Sequence, residues 1–296
     1  MILILSMSCG VEQDKSATKE TTQVVHSAGC GLESSYASGG EHVEVSWPEA
    51  GGERSYFLSL PEDYNPQMPH SIVVGFSGTD WLGADIQGYL DLEQHSEQTI
   101  FVYPDPLWRQ FDGWGEYGGW VLGPHATPAH GEEDLIFVEQ ILNTLEAELC
   151  IDTQRVFATG HSWGGDMAQV VSCFLGERFR ASVPVAANRP YWFEDASGAN
   201  IECVGFTAVW TMFGVADDHF SWQEYAGAFG DECAEFWLNE RNCSGEVEEL
   251  QFGSDVCYEY LGCEDPVRYC LYGAEYGHQI PWDYYASATM EWFASF

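Results

Sequence analysis

Short apolar runs alternate with amphipathic segments along the chain from Cys30 onward. The first two runs, HVEVSW and RSYFLSL, alternate β-branched or aromatic residues with polar ones, which predicts an antiparallel pair of half-buried strands. Later runs are continuously apolar, as expected of strands covered on both faces: SIVVGFS, TIFVYP, RVFATG, ASVPVAA and TAVWTMFG. The pattern therefore predicts a mostly parallel central sheet.

Helical patterns separate these runs. In EEDLIFVEQILNTLEAELC, acidic residues at the start suit the positive end of a helix dipole. One apolar face of that segment has helical spacing, with Leu135, Val138, Leu142, Leu145 and Leu149. Strands alternating with helices predict one α/β domain with helices on both faces of the sheet. The remainder reads as irregular Trp-rich loops, such as the one from Asp105 to Pro128.

Charge limits the classes of partner. The chain has 47 acidic and 10 basic side chains, for a formal charge of -37, and its only lysines are Lys15 and Lys19. Such a surface repels phosphate backbones and anionic lipid, so no nucleic-acid partner is expected. Two explanations of the charge remain open: a saline habitat, where salt screens self-repulsion, and an ordinary acidic secreted protein.

The N-terminus MILILSMSCG has a short apolar run ending in small residues before Cys9, like the end of a bacterial lipoprotein signal, although no Lys or Arg precedes it. We predict a short lipoprotein-type signal over residues 1–9, a flexible polar tether over 10–29 and the folded domain over 30–296. The protein is then secreted or lipid-anchored outside the cytoplasm. Membrane attachment is expected only through a lipid on Cys9.

Cysteine usage indicates an oxidising compartment. If Cys9 carries lipid, at most eight of the remaining cysteines can pair within the chain. Several cluster late in the sequence, which predicts disulfides in the C-terminal third: Cys233, Cys243, Cys257, Cys263 and Cys270. The sequence leaves their connectivity open. No C-x-x-C pair is present, so no zinc or other metal site is predicted.

The motif that carries chemistry is G-x-S-x-G in ATGHSWGGDM, with Ser162 between Gly160 and Gly164. The apolar run RVFATG precedes it and the helical pattern WGGDMAQVVSCFL follows, which is the strand, sharp turn and helix of a nucleophile elbow. The backbone N–H of Trp163, at the helix start, is the first predicted oxyanion donor. The second is the backbone N–H of Thr79, in SGTDW after the strand SIVVGFS.

A serine nucleophile needs a base and an acid that orients the base. We predict His278 as the base, because LYGAEYGHQIP lies between the last strand and the last helix. Asp217, in TMFGVADDHF, is the predicted acid and Asp218 its competitor; both fit the chain order serine, acid, histidine. His161 flanks Ser162 and is expected to point elsewhere. This chemistry needs no cofactor.

With these residues in place, the sequence resembles secreted esterases of carbohydrate esterase family 1 type, namely feruloyl esterases and related poly(3-hydroxybutyrate) depolymerases. The similarity covers nearly all of the chain after residue 27 and is most specific in ELCIDTQRVFATGHSWGGDMA. It also includes SAGCG, RSYFLSLPEDYNP, FVYPDP, VPVAA and PVRYCLYGAEYGHQIP. The resemblance implies an α/β-hydrolase fold and serine-esterase activity, with nucleophile, acid and base at Ser162, Asp217 and His278.

The chain departs from that family pattern at three places. FSG, with Ser77 and Gly78, stands where the family usually has H-G; Phe213 replaces a loop histidine; and Tyr276 lies where glycine is common. None of these changes removes a triad member. They bear on the shape of the oxyanion hole and on the substrate.

Aromatic loop residues are the candidates for substrate contacts. We predict substrate binding by the following side chains: Trp81, Trp108, Trp114, Trp120, His219 and Trp222. The expected function is hydrolysis of feruloyl or similar hydroxycinnamoyl esters of plant polysaccharide by a monomeric enzyme. The alternatives are, in order, a polyhydroxyalkanoate or terephthalate polyester depolymerase, an acetylxylan esterase, and a secreted binding protein that inherited its triad.

Overall fold

The computed structural model describes residues 25–111, 113–122, 132–188, 190, 193, 199, 201–220 and 227–296. Its strands are β1 (Glu41–Trp47), β2 (Gly52–Ser59), β3 (His70–Phe76), β4 (Thr99–Pro104), β5 (Leu107–Phe111), β6 (Gly115–Gly119), β7 (Ile151–His161), β8 (Ala181–Val185), β9 (Ala208–Gly214), β10 (Val247–Phe252), β11 (Asp255–Tyr260) and β12 (Val267–Tyr272). Its helices are α1 (Gly83–Leu90), α2 (Glu133–Glu148), α3 (Trp163–Phe174), α4 (Ala228–Glu240) and α5 (Tyr285–Ala294).

One sheet of ten strands runs through the domain, in the order β1-β2-β4-β3-β7-β8-β9-β12-β11-β10. The central strands β4, β3, β7, β8, β9 and β12 are parallel, and the strands at both ends pair antiparallel. Every residue of β3, β4, β8 and β9 is buried, as the continuous apolar runs predicted. The mostly parallel α/β sheet is therefore confirmed.

Helices cover both faces of this sheet, also as predicted. On one face, α2 and α3 pack through Leu142 and Val170 into the larger core cluster, and Trp237 of α4 joins them. On the other face, α1 and α5 pack through Ile86 and Phe293 into a second cluster. Within the ranges described above, no helix combines the length and the apolar character needed to cross a membrane.

Two hairpins and two helices were not predicted. The segment expected to be an irregular loop, from Asp105 to Pro128, contains the antiparallel hairpin β5–β6. The other hairpin, β10–β11, extends the sheet beyond β12, and its exposed VEELQF strand has too many acidic residues to resemble a strand in isolation. The helices α1 and α4 were also absent from the prediction. The strands of both hairpins are completed by pairing, β10 with β11 and β5 with β6 in a separate two-stranded sheet. The helices α1 and α4 are completed by packing on the core.

The predicted tether ends earlier than residue 29. Ser27 is buried, its backbone N–H donates to the Ile151 carbonyl at 2.9 Å, and its hydroxyl donates to the Leu149 carbonyl. Cys30 is bonded to Cys150 immediately before β7. Residues 25–29 therefore belong to the folded domain, and the boundary at residue 30 is corrected. The predicted signal and Cys9 lie outside the described residues.

Nine cysteines remain when Cys9 is set aside, so at most four disulfides can form. Among the described residues, the four pairs are Cys30–Cys150, Cys173–Cys203, Cys243–Cys263 and Cys257–Cys270. The last two lie in the C-terminal third, where disulfides were expected: Cys257–Cys270 joins β11 to β12, and Cys243–Cys263 joins the loops after α4 and β11. The expectation was wrong for Cys233. Cys233 keeps a free, buried thiol.

Candidate active site

Ser162 lies on the sharp turn between β7 and α3. Its φ of 58° and ψ of -126° form a strained conformation for a residue with a side chain. A Cβ at Gly160 would collide with the Gly164 backbone, and a Cβ at Gly164 would collide with the Phe76 carbonyl. The strand, turn and helix predicted from G-x-S-x-G are thus present, and both glycines are required by the backbone.

The hydroxyl of Ser162 is hydrogen-bonded to an imidazole and that imidazole to a carboxylate. Ser162 Oγ lies 2.9 Å from His278 Nε2, and His278 Nδ1 lies 2.7 Å from Asp217 Oδ2. An ionised carboxylate can only accept a hydrogen bond, so His278 Nδ1 carries the proton and donates to Asp217, and Nε2 is left free to accept the serine proton. The three predicted residues therefore form the chain of contacts that a serine hydrolase needs.

Sheet order brings the three loops together. β9 and β12 are parallel neighbours, so the loops that follow them, bearing Asp217 and His278, leave the same edge of the sheet as Ser162 after β7. The end of β9 and the loop after β12 lie in close contact, since a Cβ at Gly214 would lie 2.6 Å from the Gly277 carbonyl oxygen. Ser162, Asp217 and His278, which are far apart in sequence, thereby converge.

The two neighbouring aspartates have different environments. The Asp217 side chain is completely buried, and its second oxygen accepts the backbone N–H of His219 at 3.0 Å. The Asp218 side chain is 79% exposed, and its Oδ1 lies 3.2 Å from Nδ1 of the adjacent His219 ring. Asp217 rather than Asp218 is hence the carboxylate that can orient His278.

His161 points into the site, whereas the sequence predicted that it would point elsewhere. Its Nε2 lies 3.1 Å from the His278 carbonyl, and its ring packs 5.1 Å from that of Tyr89. Burial, with the nearby His278 as a smaller contribution, lowers the pKa of His161 to about 3. A neutral His161 therefore donates its N–H to the loop that bears His278, and this hydrogen bond helps to hold that loop in place.

We expect His161 to make stability sensitive to acid. In the unfolded chain His161 binds a proton below about pH 6.5, whereas the buried ring stays neutral down to about pH 3. The stability that the neutral ring contributes is therefore complete above the unfolded pKa and is lost as pH falls below it. The loss between pH 7 and pH 5 is about 2 kcal/mol. Urea unfolding at both pH values should show a smaller difference in the variant His161→Gln, which has no titrating ring. An equal difference in both proteins would contradict this assignment.

The turn after β3, residues 78–81, supplies the second predicted oxyanion donor; we call it the oxyanion turn. A Cβ at Gly78 would lie 3.3 Å from the Ser162 Cβ, so the turn approaches the nucleophile directly. The Trp81 N–H donates to the Gly78 carbonyl at 3.3 Å and the Asp80 N–H to the Gly118 carbonyl at 2.9 Å. Among the residues that the structure describes, the N–H groups of Thr79 and Trp163 have no protein acceptor. Both are therefore available to a developing oxyanion.

A cavity of about 260 Å³ opens over the nucleophile. Its lining consists of Gly78, Thr79, Trp81, Tyr89, His161, Ser162, His219, His278 and Gln279. Trp81 is 41% exposed and packs edge-on against Tyr89, while His219 stacks on the His278 ring with centroids 3.9 Å apart. The predicted contacts at Trp81 and His219 thus lie in this active-site cavity. Sequence reasoning missed Tyr89 and Gln279, for which no motif gives a signal.

The other predicted substrate contacts divide into three groups. Trp108 and Trp114 are exposed on the hairpin β5–β6. Trp120 is completely buried and donates its indole N–H to the Ser77 carbonyl at 2.8 Å. The prediction that Trp120 binds substrate is therefore wrong. Its hydrogen bond holds the chain at the end of β3. Trp222 lies outside the described residues.

Three site residues have the atom types of a metal site. Asp217, His219 and His278 each bring one nitrogen or oxygen to within 4.8 Å of the others. However, Asp217 and His278 Nδ1 are hydrogen-bonded to each other, and the rings of His219 and His278 are stacked, so their in-plane lone pairs lie in two separate planes 25° apart. Metal ligands must converge on one point, so this arrangement suits proton transfer better than coordination.

Comparisons with known proteins find relatives that are named esterases. No family model matches the chain. The chain is 26% identical to "Probable feruloyl esterase C" of Aspergillus niger over 287 residues, which cover 89% of this chain and 92% of the relative. It is 30% identical to "Feruloyl esterase C" of Emericella nidulans over 166 residues, covering 53% and 52%. Acetyl xylan esterase from Aspergillus awamori superposes with a TM-score of 0.61 at 15% identity, over 86% of this chain and 99% of that one.

Proposed function

We propose that this feruloyl-esterase-like α/β-hydrolase, a carboxylic ester hydrolase, cleaves hydroxycinnamoyl esters of plant polysaccharides through a serine acyl-enzyme. The observation that carries the proposal is the pairing of a Ser162–His278–Asp217 chain of hydrogen bonds with an aromatic cavity. The names of the Aspergillus niger and Emericella nidulans relatives agree with a feruloyl substrate.

The proposed reaction has two acyl-transfer steps. His278 takes the Ser162 proton as Oγ attacks the ester carbonyl, and Asp217 stabilises the resulting imidazolium. The backbone N–H groups of Thr79 and Trp163 bind the oxyanion. The alcohol leaves with the proton held by His278, and water activated by the same ring then releases the hydroxycinnamic acid.

The proposed acyl site is the wall of the cavity formed by Trp81 and Tyr89. Their edge-to-face packing fixes the exposed indole of Trp81, and the Tyr89 hydroxyl accepts the Ile280 N–H at 3.0 Å, which ties this wall to the loop of the catalytic base. A planar cinnamoyl group gains both buried area and ring stacking against such a wall, whereas an acetyl group gains little. The geometry therefore favours an aromatic acyl group.

We also propose that the protein acts outside the cytoplasm. The four disulfides form and persist in oxidising compartments, and they support this location. Lipid attachment at Cys9 belongs to the same proposal and would appear as a mass increase on the N-terminal peptide.

A panel of small esters tests the acyl specificity. For the wild type we expect kcat/KM for methyl ferulate to exceed that for methyl hexanoate. We expect Trp81→Ala to lower kcat/KM for methyl ferulate about 10-fold and to change kcat/KM for p-nitrophenyl acetate little. Trp282→Ala, which removes an exposed indole outside the cavity lining, is the matched control. Clearing of a polyhydroxybutyrate suspension with little turnover of methyl ferulate would overturn the proposal and make the chain a polyester depolymerase.

A further inference from the structure

The hairpin β5–β6 presents two tryptophans to solvent beside the nucleophile. The Trp108 side chain is 58% exposed and the Trp114 side chain is 61% exposed. Trp114 packs 6.3 Å from the ring of Trp163, the residue directly after Ser162. Large apolar side chains with this exposure on one hairpin near an active site more often mark an interaction surface than serve the fold.

Glycines hold the hairpin against the catalytic loops. Gly118 exchanges two hydrogen bonds with Asp80 of the oxyanion turn: its carbonyl accepts the Asp80 N–H at 2.9 Å, and its N–H donates to Asp80 Oδ1 at 2.9 Å. A Cβ at Gly119 would lie 2.8 Å from the Trp163 ring. The hairpin can therefore lie against Trp163 only because residue 119 has no side chain, and Gly118 hydrogen-bonds it to the oxyanion turn.

Buried charges fix the inner face of the hairpin. Arg109 donates to the Gly119 carbonyl at 3.1 Å and to Asp134 at 2.8 Å, and Asp134 also pairs with Arg54 at 2.9 Å. Arg109 and the buried Phe111 thus point inward, so strand alternation directs Trp108 outward. Trp108 therefore stands on a strand whose inner face is held by buried charges, and Trp114 lies in the turn that leads into β6.

Charge around the tryptophans restricts what they can bind. Gln110 and Glu116 lie opposite each other across the hairpin and are both exposed, and the chain as a whole carries a formal charge of -37. Such a surface repels uronates and other anions. Neutral sugars suit it, because their C–H faces stack on indole rings and their hydroxyls donate to amide and carboxylate oxygens.

We propose that the outer face of this hairpin, with Trp108 and Trp114, is the subsite for the neutral sugar chain that carries the ester. The inference rests on the proposed function and extends it to the alcohol side of the substrate. The cavity of about 260 Å³ accommodates one acyl group, so the rest of a polysaccharide ester must extend over the neighbouring surface. The hairpin is the neighbouring surface, because Gly118 of β6 is hydrogen-bonded to Asp80 of the oxyanion turn.

The test compares two substrates with the same acyl group. For the double variant Trp108→Ala/Trp114→Ala we expect kcat/KM on a feruloylated arabinoxylan oligosaccharide to fall about 10-fold, mainly through KM, with less than about 2-fold change on methyl ferulate. Phe206→Ala, which removes an aromatic side chain that is 64% exposed and outside the active-site cavity, should leave both values unchanged. An equal loss on both substrates, or no loss on either, would overturn the proposal.

A binding measurement separates this proposal from the assignment of acyl specificity. Titration calorimetry of the Ser162→Ala protein with an unesterified arabinoxylan oligosaccharide needs no turnover, and we expect affinity that disappears when Trp108 and Trp114 are also replaced. Absence of methyl ferulate hydrolysis with sugar binding intact would refute the proposed acyl group alone. Absence of sugar binding in an enzyme that hydrolyses methyl ferulate would refute the sugar subsite alone.

Discussion

Replacing Ser162 with alanine is expected to lower the rate of ester hydrolysis by at least about 10⁴-fold and to abolish labelling by a fluorophosphonate probe. The change removes the atom that attacks the carbonyl, while the buried contacts of α3 and β7 remain. The thermal midpoint should stay within a few degrees of wild type, because the lost hydrogen bond to His278 is worth only about 1 kcal/mol. Retained turnover in a correctly folded variant would refute Ser162 as nucleophile.

A second substitution at this position tests the backbone strain. Ser162→Gly removes the hydroxyl too, but glycine adopts a φ of 58° without the steric cost that serine or alanine pays. We expect this variant to be as inactive as Ser162→Ala and more stable than it by about 1 kcal/mol in urea unfolding. Such a difference would indicate that the elbow holds its nucleophile at the expense of stability.

Asp217→Asn is expected to have the next largest effect, a loss of about 10⁴-fold in kcat. An amide in place of the carboxylate favours the His278 tautomer with its proton on Nε2, and that nitrogen can no longer accept the serine proton across the 2.9 Å contact. It also removes the charge that stabilises the imidazolium. Initial rates on p-nitrophenyl acetate measure both consequences.

Asp218→Asn is the matched control for this prediction. Asp218 is next in sequence, has the same side chain and is 79% exposed, so its replacement should leave kcat within about 3-fold of wild type. Circular dichroism on both variants checks that Asp217→Asn still folds, since that position is completely buried. A larger loss for Asp218→Asn than for Asp217→Asn would show that the acid is misassigned.

The acid illustrates where sequence reasoning reaches its limit. Chain order placed the acid after β9, in the dipeptide Asp217–Asp218, but two adjacent residues of identical type are equivalent on that criterion. The structure separates them by burial, because only one side chain points into the protein and reaches His278 Nδ1 at 2.7 Å. Orientation of a loop side chain depends on the whole surrounding fold.

The tryptophans show the same limit more strongly. Trp81 and Trp120 both occupy segments that follow buried strands, and composition gives no means of telling a wall of a cavity from a core residue. In the structure Trp81 lines the cavity, while Trp120 is buried and braces Ser77. The opposite error occurred at His161, which was expected to point away from the site but packs between the base and Tyr89.

By itself, the sequence determined the α/β class, the central strands and the elbow, because continuous apolar runs, helical spacing and two obligatory glycines are local signals. It also predicted Ser162 and His278 as a pair, through chain order. Only the tertiary structure decided which aspartate faces the base, that His161 supports the base, and that the loop after β4 is a hairpin with tryptophans beside the nucleophile. These features depend on contacts between segments far apart in sequence, and no local pattern encodes such contacts.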